Sequence, residues 1–155
     1  MTTHVRQQIR EAVATLVTGL TTTGANVFQM RTRPLTDANL PALMITTNDE
    51  QVVNNITVGF PNRQERTLTV SVVALVKAAA SANPDDTVDT IIKEVEAALG
   101  ASTSTYTLSG LARGGITLDS IRIDMDDETD KPVMRATMDW QAVYYTLSNA
   151  PDTAV

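Results

Sequence analysis

The chain has 155 residues, 43% of them hydrophobic, which fits one domain with a core of its own. Eighteen acidic against twelve basic side chains give a formal net charge of -6, which argues against a protein that grips phosphate backbones. Cysteine is absent, so disulfides, thiolate nucleophiles and Cys-ligated zinc are excluded.

The opening "MTTHVRQQIREAV" carries charges where a secretory leader needs an apolar stretch, and no apolar run reaches the roughly 18 residues of a membrane span. A protein made in a cytoplasm, without a membrane partner, is expected. Val5, Ile9, Val13, Leu16, Val17 and Leu20 then recur at helical spacing, with Arg6, Gln7, Arg10 and Glu11 opposite, and Gly19 ends the helix. "NVFQMRTRPL" predicts a strand running to Pro34, and a second is predicted over 42–47, entered through Pro41. The stretch 49–66 is long and polar, with apolar pieces at Val52, Val53, Ile56, Val58 and Phe60. Most connections in compact domains run about 4–6 residues, so this one predicts a projecting β-arm.

"RTLTVSVVALVKAAA" is the strongest strand signal. Leu68, Val70, Val72, Ala74 and Val76 share one face, while the other runs from polar Thr67 to apolar Leu75. Asn83 as N-cap and Pro84 at the first helical position open a second helix. Its buried stripe is Val88, Ile91, Ile92, Val95 and Leu99, and Gly100 stops it. A loop over 100–115 precedes two long strands, "GITLDSIRIDM" and "VMRATMDWQAVYYTL", joined as an antiparallel hairpin. The tail 148–155 is expected to be flexible. The order α-β-β-arm-β-α-β-β predicts an α+β fold over 1–147, with a mixed, mainly antiparallel sheet and two helices on one face.

The chemistry-bearing residues are few. His4 is the sole histidine and lies beside the N-terminus, a poor foundation for a catalytic triad. Gly110, Gly114 and Gly115 are followed by a strand rather than by the Lys-Ser/Thr and helix of a phosphate loop. The turn "DMDDETD" places Asp124, Asp126, Asp127, Glu128 and Asp130 together. It departs from a calcium loop at Thr129, where Gly is required, and at Arg135, where Glu is required. A solvated turn, a phosphate-repelling negative tip and a metal-dependent hydrolase site are the three readings it allows.

The N-terminal third resembles the tail terminator proteins of long-tailed bacteriophages, also called tail completion proteins or minor tail protein U. The likeness rests on Ile9-Arg10, the apolar helix into Leu16, Thr18-Gly19-Leu20, Thr22-Thr23-Gly24, Val27-Phe28, Arg31, Pro34-Leu35 and Leu40-Pro41-Ala42-Leu43. Further matches are the 66–76 strand, "EVEAAL" at 94–99, Lys131-Pro132 and Tyr144-Tyr145. The resemblance implies a non-enzymatic virion subunit, with no cofactor, that assembles into a six-membered ring. Such a ring ends the tail tube, meets the head connector or stopper protein, and lets DNA pass without binding it. Another neck protein, adaptor or stopper, is the alternative within the same class. In such a ring the acidic turn would face the channel, where charge acts over about 8–10 Å at physiological salt. Arg31, Arg33, Val52, Val53, Phe60, Arg63 and Arg66 are the residues expected at subunit or tube contacts.

Overall fold

The architecture follows from one alternating pattern. In a computed structural model, which describes residues 2–30, 35–54, 58–78, 83–126 and 132–155, the strand β5 (Val133–Leu147) buries every second residue from Met134 to Thr146. It pairs antiparallel with β3 (Arg63–Lys77) in an unbroken register from Arg63↔Leu147 to Lys77↔Val133. Paired residues of an antiparallel ladder point to the same face. Leu68, Val70, Val72, Ala74 and Val76 therefore share one face with Met134, Ala136, Met138, Trp140 and Ala142, and all join the core.

Around this pair the sheet runs β1-β2-β3-β5-β4, with β6 also on β5. β2 is Ala42–Val53, antiparallel to β3, and β4 is Gly115–Asp126, antiparallel to β5. β1 (Val27–Gln29) pairs parallel with β2, which makes the sheet mixed. Two helices cover one face. α1 (Val5–Leu16) presents Val5, Ile9 and Val13, and α2 (Pro84–Leu99) presents Val88, Ile91, Ile92, Val95 and Leu99, to the same core cluster. The α+β fold of one sheet with two main helices on one face is as expected from the sequence. Among the described residues no helix is long and apolar enough to cross a membrane.

Several details differ from the sequence-based expectation. The first strand ends at Gln29 because Met30 adopts φ 43, which takes the chain out of the extended region after its N–H reaches the Ile45 carbonyl at 3.0 Å. β2 does not end at Thr47. A β-bulge between Thr47 and Glu50 inserts one residue, and the strand continues to Val53. The arm expected at 49–66 therefore starts within β2 and ends within β3, so its described strand residues belong to the β2–β3 hairpin. Asn83 precedes α2 as expected, but its side chain makes no capping bond to the helix backbone. Within the 100–115 loop, Ser102 and Thr105 form a capping box on a one-turn helix, α3 (Thr103–Tyr106).

The termini are also tied down. His4 Nδ1 accepts the Arg6 N–H at 3.1 Å and caps α1, so it belongs to an ordered N-terminus. The flexible tail expected at 148–155 is instead strand β6 (Ala150–Ala154), paired with β5 through Leu147↔Ala150 and Thr146↔Ala154. Gln8 Nε2 of α1 donates to the Asp152 carbonyl at 3.0 Å, Thr2 hydrogen-bonds the Asp152 carboxylate, and Ala154 packs on the core. Deleting residues 150–155 is therefore expected to cost about 1–3 kcal/mol of stability, read from the urea midpoint. A midpoint unchanged by the deletion would show that β6 holds nothing in place.

Candidate interaction surfaces

Beyond α1, the helix-facing side of the sheet turns polar. Leu68 is the last apolar residue of β3 on that face, and Arg66 and Gln64 follow it. The bulge in β2 brings Glu50 onto the same face, opposite Leu68. Arg66 Nη1 donates to Glu50 Oε2 at 3.1 Å, its Nε to Thr146 Oγ1 at 3.0 Å and its Nη2 to Gln64 Oε1 at 2.9 Å. The Tyr144 hydroxyl donates to the second Glu50 oxygen. Burial first, and then the Glu50 carboxylate, push the Tyr144 hydroxyl well above its ordinary pKa of 10.0. The Arg66 and Glu50 side chains are only 13% and 12% exposed, so the pair is largely withdrawn from water, with each guanidinium nitrogen and each carboxylate oxygen hydrogen-bonded.

This network roots the hairpin. Past it, β2 and β3 still pair at Val52↔Arg66 and Val53↔Glu65. Val52, Val53, Val58 and Phe60 are all exposed, Val58 and Phe60 almost completely. The predicted contact residues Val52, Val53 and Phe60 thus lie together at one end of the molecule, and Val58 joins them. Arg66, expected at a subunit contact, is instead enclosed by partners in its own chain. Arg63 lies over the Tyr145 ring at 4.6 Å, and Glu65, bonded to the Tyr145 hydroxyl, raises that group's pKa. Arg31 and Arg33 lie outside the described residues.

The face away from the helices is polar over most of its area. Ser71 donates to Asp139 and Thr69 exchanges hydrogen bonds with Gln141. At the β2 end it becomes apolar, with Ala42, Val73 and Leu75 buried. Of the acidic turn, Asp124 is on this face, in register with Arg135 and ion-paired to Arg122 at 3.0 Å. Asp126 closes β4 opposite Val133. Asp127, Glu128 and Asp130 lie outside the described residues. Of the two described members of the predicted collar, Asp124 is thus neutralised in part by Arg122 of its own strand. Among the described residues no three His, Asp or Glu side chains gather as a metal site.

The sheet also leaves two edges open. β1 covers β2 only at 43–45, and among the described residues no strand pairs with the outer side of β4. Sequence reasoning missed the β4 edge, although the alternation of Ile121, Ile123 and Met125 with charged residues was readable there.

Two measurements check the rooting network. Glu50→Gln or Arg66→Met alone is expected to cost on the order of 3 kcal/mol, because each strands a mostly buried charge, while the double change costs less than the sum. Chemical denaturation of the four proteins closes the cycle, and strict additivity would rule out the coupling. The raised Tyr144 pKa also sets a sign. The folded protein holds that proton more tightly than the unfolded chain, so the contribution is complete below pH 10 and declines as pH rises above it. Tyr144→Phe should flatten the alkaline fall in stability, and identical slopes for the two proteins would refute the assignment.

Compared with known proteins, the chain matches no family model and no curated protein. Among solved structures, a chain from the virion of a native gene transfer agent particle is similar over 90% of this chain and 92% of its own, with a TM-score of 0.40 and 18% identity.

Proposed function

We propose that the protein is a structural virion component of the tail-terminator type, acting without catalysis. Copies would assemble as a ring, six by the family resemblance, on the end of a tail tube. The ring would cover the surface on which the next layer of tube subunits must add, and present its other side to the head connector or stopper protein. DNA would cross its channel without specific binding. The observation that carries this reading is the hairpin tip, where four exposed apolar residues are held out on a strand pair rooted by a buried ion pair. A tip of this kind gains by burial against a partner and does nothing for its own fold. The hairpin tip and the β2 edge left open beyond β1 are unlike patches of the kind a head-to-tail ring requires.

The test combines the purified protein with polymerising tail-tube subunits. Wild-type protein is expected to arrest elongation at one end and to be visible there as an annulus by electron microscopy. Val58→Asp with Phe60→Asp should abolish arrest while leaving urea stability within about 0.5 kcal/mol, since both residues are on the surface. Tubes that lengthen past bound protein would refute the reading. Localisation to the connector rather than to the tube would convert it to an adaptor or stopper.

A further inference from the structure

The outer strand β4 carries a second apolar surface, remote in the sheet order from the β2 edge. Ile121, Ile123 and Met125 point to the helix-covered side, in register with Met138, Ala136 and Met134. Their β5 partners are buried, yet these three are 41%, 48% and 54% exposed. The cause is geometric: α2 packs on β3 and β5 and does not extend over β4. Between the three, on the opposite face, stand Arg122 and Asp124. The segment 120–126 is regular, without the bulge that interrupts β4 between Leu118 and Ser120. A regular, apolar-striped edge is the kind that recruits another strand.

We propose that this edge binds a second copy of itself, as an antiparallel β4–β4 contact with its twofold axis at Ile123. The pattern of the strand is self-complementary about that residue. With Ile123 facing its counterpart, Ile121 meets Met125 of the second copy and Met125 meets Ile121, which closes the apolar stripe on the helix side. On the other side Arg122 meets Asp124 and Asp124 meets Arg122. Each Arg122 already pairs with its own Asp124 at 3.0 Å, so the four groups form an alternating square. Neighbouring registers fail on charge. An axis at Arg122 sets two guanidinium groups against each other, and an axis at Asp124 sets two carboxylates against each other. The contact would join two sheets into one continuous sheet with the helices of both copies on the same side. It does not rest on the tail-terminator reading, because it uses β4 and not the hairpin tip.

The chain has no cysteine, so one introduced thiol reports its own surroundings. Ile123→Cys, oxidised with copper-phenanthroline, is expected to give a disulfide-linked dimer. Ile121→Cys alone should not, whereas a mixture of Ile121→Cys and Met125→Cys should. In sedimentation equilibrium, Arg122→Asp or Asp124→Arg should weaken self-association about tenfold, since each places like charges together twice per dimer. The combined Arg122→Asp, Asp124→Arg protein should recover it. All five substituted positions are exposed strand residues, and circular dichroism verifies the fold of each variant. A wild-type protein that stays monomeric across the concentration series would overturn the proposal. So would association that ignores the charge reversals, or Ile123→Cys and Ile121→Cys linking equally. None of these three outcomes decides the tube-arrest assay.

Discussion

The β3–β5 ladder is the constraint on which the rest of the molecule depends. Its fifteen-residue strands pair end to end without a slip, so a single parity decides which side chains meet the helices and which meet water. A slip of β5 by one residue would bring Asp139 and Gln141 beneath α2 and expel Met138 and Trp140, and a slip of β3 would exchange Val72 for Ser71 in the same way. Large apolar residues on one face and hydrogen-bonded hydroxyls and amides on the other make that shift prohibitive. The flanking strands inherit their orientation from this pair. β2 can then bring Glu50 to Arg66, and β4 can present Ile123, because the central ladder has already fixed the faces.

The polar root of the hairpin and the apolar tip divide the work. Burial alone could not hold a strand pair that extends beyond the helices, since no helix is there to cover it. Arg66 replaces that cover with fixed hydrogen bonds to three elements: β2 through Glu50, β5 through Thr146, and its own strand through Gln64. Tyr144 closes the set from β5. A largely buried ion pair is poor evidence of net stability, but it is well suited to selecting one geometry. Here the selected geometry is the direction in which Val58 and Phe60 are offered.

Much of the fold was legible in the sequence where periodicity is strong and constant in phase. α1, α2, β3 and β5 keep one pattern throughout and all are present, although α1 ends at Leu16, short of the expected Leu20, and β3 begins three residues early at Arg63. Legibility failed where phase changes or where the segment is too short to have one. β2 was lost at Thr47 because the bulge moves its inward positions from 43, 45 and 47 to 50 and 52. β6 was lost because Ala150-Pro151-Asp152 has no apolar alternation, and its hold comes from α1 and the N-terminus, more than 140 residues away in sequence. For the candidate surfaces, the expectation of contacts at Val52, Val53 and Phe60 came from their place in a long polar stretch, and the structure leaves all three exposed. The sequence did not show that Arg66 would be largely withdrawn from water, because Glu50 and Thr146 reach it from other strands.

The extra residue in β2 has one more implication. Opposite Thr69 the strand places both Asn48 and Asp49, and beyond this step the pairing is regular again. Losing either of the two would let Thr47 and Glu50 keep their present partners, with ordinary alternation between them. The surplus residue is therefore not needed for the strands to join. What it adds is local coiling of the ribbon, and hence the bearing of everything beyond it. Chain length at this step works as a rudder: related sequences could re-aim the far end toward differently spaced neighbours without altering one residue of the end itself.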